Sequence, residues 1–248
     1  MLVELSVRTL TTAENCPLIF VDIDGKDIIG VTRQDARKFK ADIHLVLADK
    51  KFEAVRALID LNGAKFKYID ATALSTAIGG ITNLSEDEKA YIDVVTNTIN
   101  NVKEVHKIEY LTEATTSSEG AEAFRNHMNN ADPEAKIGDK LTANGELSTQ
   151  IVKGIAGEGL NVPTQDGSHS FIVEGLESKT RASTSGHELF GHGIPSARKL
   201  EPSINNGNAI RADNLIRRLL GVSQRDGKNH GGYNEGHITK TEELPITK

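Results

Sequence analysis

The strongest constraint on what this chain can fold into is a spacing. Residues 184–193 read Thr-Ser-Gly-His-Glu-Leu-Phe-Gly-His-Gly, so His187 is followed at once by Glu188 and, five positions on, by His192. Two imidazoles and an intervening carboxylate on one helix are the groups that hold a zinc ion and offer a base to a water activated there. In the commonest version the histidines are four apart, which leaves their side chains about 40° apart around the helix; a five-residue step leaves about 140°. A regular α-helix would not let both reach one ion. A turn that absorbs one extra residue, as a π-bulge does, removes the difficulty, and such turns concentrate at functional sites. Gly191, immediately before the second histidine, is the residue type that tolerates the distortion. The expectation is a π-bulged helix with His187 and His192 as metal ligands and Glu188 as general base. The competing reading of Glu188 is an acid favoured by the helix dipole near an N-terminus.

Composition narrows the rest. The single cysteine, Cys16, excludes an intrachain disulfide framework, a cysteine-rich zinc cage and a CxxC redox pair, so a metal must be held by histidines and carboxylates. With 29 basic against 35 acidic side chains and a net charge of −6, the chain is ill suited to grip a phosphate backbone. Seven phenylalanines, four tyrosines and no tryptophan leave little to stack on bases. No nucleic-acid partner is expected. At 248 residues the chain can build a substantial core as one large or two small domains. The opening residues place Glu4 inside a short apolar stretch without a basic leader, unlike a signal peptide. No apolar run approaches the ~20 residues of a membrane span. The expectation is a soluble chain, cytoplasmic when made.

Residues 17–29 read as a hairpin around an Asp-Gly turn. An apolar strand is expected at 41–48, an amphipathic helix at 50–61 with Phe52, Val55, Leu58 and Ile59 on one face, and a strand at 65–69 after the Asn62-Gly63 stop. Ser85-Glu-Asp-Glu88 is a capping box that opens a helix whose Ile92, Val95 and Ile99 recur at helical spacing. Between 112 and 167 the text is rich in Gly, Ser, Asn and Asp; a helix near 119–129, then hairpins or loops, is the reading. Residues 168–176 form a strand leading toward the histidines.

A catalytic zinc site needs a third protein ligand. Residues 208–221 predict a helix capped by Asn208 and stopped by Gly221, with Ala212, Leu215, Ile216, Leu219 and Leu220 as its buried stripe. Asp213 sits at the edge of that stripe, where a carboxylate is costly unless paired or bound to a cation. It is the candidate third ligand, and an ion pair with Arg217, four residues on, is the alternative. The glycine-rich tail at 225–237 carries His230 and Tyr233, either of which could stabilise a developing oxyanion; a solvated tail is the other reading. His44, His106, His127 and His169 lack a partner at ligand spacing and read as core or surface histidines.

The segment His187-Glu-Leu-Phe-Gly-His192 resembles zinc metallopeptidases of the HExxGH type. The 208–221 segment is similar to the second helix of the metallopeptidase domains attached to RHS-repeat and effector toxins, with aspartate in place of their glutamate ligand. Glu14-Asn-Cys-Pro17 through Asp22-Ile-Asp24-Gly25-Lys-Asp27 resembles the end of the RHS core, after which toxin domains begin. These resemblances imply an α+β, zincin-like metallopeptidase, in which a small sheet is joined by an active-site helix and a second, ligand-bearing helix. They imply an RHS-core-like remnant at 1–30, an α/β region at 31–111 and a catalytic region at 112–248. They further imply peptide-bond hydrolysis with Zn2+, a protein or peptide substrate, a bacterial toxin or effector delivered into a target cell by a secretion system, and a cognate immunity protein. Two other outcomes are open: a zinc hydrolase of a non-peptide bond, and a non-catalytic binding domain with a degenerate motif.

Overall fold

A computed structural model describes residues 28–131, 142, 144–228, 230 and 237–246, with the backbone alone for residues 126–131. The RHS-like residues 14–27 and Tyr233 lie outside the described residues.

The first elements are strand β1 (Ile28–Gly30) and helix α1 (Arg33–Val46). The apolar strand expected at 41–48 is the second half of α1. Thr32 and Asp35 close a capping box at its start, Asp35 Oδ2 accepting from the Thr32 amide at 2.9 Å. Ala36, Phe39, Ile43 and Val46 form its buried face. Two carboxylates share that face and break the apolar period. Asp35 accepts from the Tyr110 amide at 3.0 Å. Asp42 accepts from the Tyr110 hydroxyl at 2.7 Å, the Ser185 hydroxyl at 2.8 Å and Arg181 Nη2 at 2.6 Å. Buried charges persist only when hydrogen-bonded and paired in this way.

After a 3₁₀ turn (Lys50–Phe52) come α2 (Glu53–Leu58) and the short antiparallel strands β2 (Leu61–Asn62) and β3 (Lys65–Phe66), then α3 (Ala71–Gly79). Helix α4 (Glu86–Ile99) opens on the expected Ser85/Glu88 capping box and buries Ile92, Val95 and Ile99. Next come β4 (Val105–Tyr110), β5 (Thr116–Ser117), α5 (Ser118–Ala131), β6 (Leu147–Ser148), α6 (Thr149–Ala156), β7 (Gly159–Pro163) and β8 (Gly167–Ile172). The glycine-rich stretch read as hairpins or loops thus also holds α6, whose Ser148 cap accepts from the Ile151 amide.

Among the described residues, the main sheet has the order β2-β3-β1-β4-β8-β7, with β1, β4 and β8 parallel and β7 antiparallel at one edge. The protein is mixed α and β around this small sheet, consistent with an α+β class. The sheet draws strands from both sides of residue 111, so the boundary expected there runs through a continuous sheet. Strand alternation divides the interior in two. Ile108 and Ile172 face α1 and the histidine-bearing helices in the larger core, whereas Phe171, Val162 and Leu111 face α5 and α6 with Phe124 and Val152. No helix among the described residues is long and apolar enough to cross a membrane.

Just before β4, Glu104 ties the sheet to the segment that follows the histidines. It accepts from Asn101 Nδ2 at 2.6 Å and Arg198 Nε at 3.2 Å, and lies 3.6 Å from His106 Nε2. His106 and then Arg198 hold its pKa at about 2, below the ordinary 4.5, against the opposing effect of burial. A depressed carboxyl pKa stabilises the fold above the unfolded value and loses that contribution as pH falls toward the folded value. Thermal melts should therefore show Glu104→Gln less stable than wild type at pH 6, with the gap shrinking between pH 4.5 and about 2. A gap that stays constant across that window would show that this ion pair does not govern the difference.

Candidate metal centre

Helix α7 (Ser178–Gly186) runs without a break into a π-helical turn, His187–Gly193, and then α8 (Ile194–Ala197). The expected bulge is present over the expected residues. Glycine is needed because the turn lies against its neighbours. A Cβ on Gly191 would fall 2.6 Å from the Cα of Ala209 in helix α9 (Pro202–Leu220), and one on Gly193 would fall 2.8 Å from Ser168 Oγ in β8. Gly191 meets backbone, which cannot step aside. Gly191→Ala should push α9 away and destabilise the protein by about 1–3 kcal/mol, the usual range for overpacking. Chemical denaturation measures this, and a midpoint unchanged from wild type would show that the two helices separate freely.

The π turn brings the histidines together, their ring centroids 4.9 Å apart. A third imidazole completes the group: His230 lies 4.9 Å from His187 and 5.1 Å from His192, centroid to centroid. One nitrogen of each ring lies within 4.8 Å of the others. Nε2 of His230 is buried without a hydrogen-bond partner, as a nitrogen awaiting a ligand would be. Burial, then the neighbouring imidazoles and Arg225, pushes the His187 pKa well below its ordinary value. The same causes in the same order, from His192 and Arg225, bring His230 to about 3. Neutral imidazole is the form that binds a metal. Nδ1 of His192 donates to Asn205 Oδ1 at 2.5 Å, and Asn205 Nδ2 donates to Ser196 Oγ, which sets the orientation of the carboxamide. The donor set, three neutral imidazoles and no thiolate, fits a borderline divalent ion.

No protein-family model, curated protein or solved structure matches this chain.

Asp213, the sequence candidate for third ligand, stands outside the trio. Its Oδ1 accepts from Arg217 Nε at 2.7 Å, its Oδ2 from Arg225 Nη1 at 3.3 Å, and Oδ2 lies 3.8 Å from His187 Nδ1. The i,i+4 pair with Arg217 is the alternative that the sequence offered. At 3.8 Å the carboxylate lies beside His187 Nδ1 without a hydrogen bond to it, and its bonds go to the two guanidinium groups. His230, which the sequence offered as an electrophile, is the third ring of the cluster that could hold an ion. Its segment is held by Asn214, whose side chain accepts from the Arg225 amide at 2.7 Å and donates to the Arg225 carbonyl at 2.9 Å.

Glu188 is buried beside the trio. Burial raises its pKa to about 8; Arg225 opposes the shift, and Asp213 and Glu158 add to it. A Cβ on Gly159, in edge strand β7, would fall 2.7 Å from Glu188 Cγ, so β7 runs directly past the carboxylate. The trio and Glu188 line a cleft of about 1180 Å³ shared with Glu158, Asn161, Lys199 and Arg225. The sequence did not single out Arg225, and it offered Asn208 only as a helix cap. Of the remaining histidines, His106 is buried with Nδ1 2.9 Å from Ser168 Oγ, and His169 is buried and stacked on Phe171 at 4.1 Å, so both serve the core. His127 lies where side chains are not described.

Proposed function

We propose that this protein is a zinc-dependent metallopeptidase. The observation that carries the reading is the π turn, which gathers His187 and His192 with His230 while setting Glu188 beside them. His187, His192 and His230 would hold the ion. The chemistry that zinc supplies when bound is a coordinated water with a pKa near 7 and a polarised scissile carbonyl. Glu188 takes the proton of the attacking water and passes it to the leaving amine. Burial holds the Glu188 carboxyl at about 8 in the metal-free chain, above its ordinary range; a bound cation beside it would favour the ionised form that accepts the water proton. Arg225 limits how far burial raises that value.

Peptide is favoured over other substrates by β7. Among the described residues it is the last strand of the sheet, antiparallel to β8, and it lines the cleft beside Glu188. An extended peptide can add to such an edge through main-chain hydrogen bonds. The further assignment as an RHS-type toxin, with a cognate immunity protein as partner, is supported by residues 14–27 and their resemblance to the end of the RHS core.

The test is metal analysis of the purified chain together with mass spectrometry of a mixed peptide library. Close to one zinc per chain and chelator-sensitive cleavage are expected. A folded chain that takes up no zinc would end the enzyme reading. Zinc binding with every peptide left intact would move the activity to another class of bond.

A further inference from the structure

A π turn is not the resting state of a polypeptide, and its carbonyls must be satisfied like any others. Pro195 makes this acute, because it has no N–H to give. In an α ladder that donor would serve the Gly191 carbonyl, and in a π ladder the Phe190 carbonyl. Both carbonyls are met from a different helix. Asn208 Nδ2 donates to the Phe190 oxygen at 3.2 Å and the Gly191 oxygen at 2.7 Å. Asn208 is fully buried, and its Oδ1 accepts from the Ile246 amide at 2.6 Å, so the carboxamide cannot turn over without losing bonds at both ends. The sequence suggested this residue as a helix cap. The helix instead begins six residues earlier at Pro202, a common first-turn residue, and Asn208 lies inside it.

We propose that Asn208 is the positioning residue of the metal centre: by supplying the donor that Pro195 lacks, it holds the turn in the π register that aims His187 and His192 at one point. The proposal rests on the metal-site reading above. It also makes the C-terminal segment part of the site, since the Ile246 amide fixes which end of the carboxamide faces the turn. Two further bonds, from Arg211 to the Lys240 carbonyl at 3.1 Å and from Asn214 to the Thr241 carbonyl at 3.1 Å, hold that segment along α9.

The experiment uses the full chain with Asn208→Leu, close in volume and without a donor, Asn208→Ala, and Pro195→Ala, which returns an N–H to the turn. Zinc affinity is read by competition with a chromophoric chelator, and the geometry of the ligands by the visible spectrum of the cobalt-substituted protein. Helix content by circular dichroism reports folding. Both Asn208 variants are expected to keep their helix content, lose zinc affinity at least tenfold and change the cobalt spectrum. Pro195→Ala, which lets the turn slip toward the α register, is expected to weaken zinc in the same direction and keeps the test decisive if the Asn208 variants do not fold. Affinities within twofold of wild type in the folded variants would overturn the proposal. If wild type itself takes up no zinc, the metal reading fails separately. The proposal is then read from ring-to-ring nuclear Overhauser contacts between His187 and His192 in the metal-free chain, which the variants should lose; their retention would overturn it.

Discussion

Replacing His230 with alanine is expected to weaken zinc binding by at least about a hundredfold, because one ligand's share of the roughly 10–16 kcal/mol that binds a structural zinc ion is about 3 kcal/mol. Asp213→Asn should cost less than the roughly 10- to 100-fold typical of a group hydrogen-bonded behind a ligand, because its carboxylate lies 3.8 Å from His187 Nδ1 and bonds two arginines instead. The comparison discriminates sharply between two geometries. If Asp213 were the third ligand, as its place on the helix suggested, the order of the two effects would reverse. The structure gives His230 a buried, unpartnered Nε2 within the trio and gives Asp213 two guanidinium partners. A chelator competition titration on the two variants measures the order directly. Asp213→Asn also leaves Arg217 and Arg225 without their common anion, so its thermal stability should fall even in metal-free protein.

Glu188→Gln is expected to leave zinc stoichiometry unchanged while lowering peptide hydrolysis by about 10²- to 10⁴-fold, the range that a positioned general base contributes. The substitution preserves shape and removes only the capacity to take a proton. Burial already holds this carboxyl near a pKa of 8 in the metal-free chain, so a neutral amide in the same place needs no new partner for a charge. The variant should fold at least as well as wild type above pH 8. Parallel measurements of zinc content and kcat would expose a failure: loss of zinc would make Glu188 a structural residue of the site, and full activity would remove it from the mechanism.

The features legible in the sequence were those set by neighbours along the chain. The Ser85/Glu88 box and the Ile92, Val95, Ile99 face span at most two helical turns, and the structure has them where the periodicity placed them. The π turn was legible for the same reason. A five-residue histidine spacing with a glycine before the second histidine leaves few local conformations that bring the rings together, and the rings do meet, 4.9 Å apart. Helix α1 does not show as a helix in the sequence because Asp35 and Asp42 sit on its buried face. Their partners, Tyr110, Ser185 and Arg181, are dozens of residues away, so nothing local marks those carboxylates as interior. Helix α6 was hidden by the glycines around it, although its fully buried Val152 packs in the second core.

The sequence by itself determined that His187, Glu188 and His192 would share one distorted turn, because spacing along a helix dictates direction. Only the tertiary structure decided what surrounds that turn. Asp213 lies 26 residues beyond His187 and His230 lies 43 beyond. Which of them reaches the rings depends on how α9 packs against the π turn and on how Asn214 holds the following segment. The same packing sets Asn208 under two carbonyls that Pro195 cannot serve. A helical period carries direction over a few residues, whereas a ligand set is closed by groups that meet only once the core has formed.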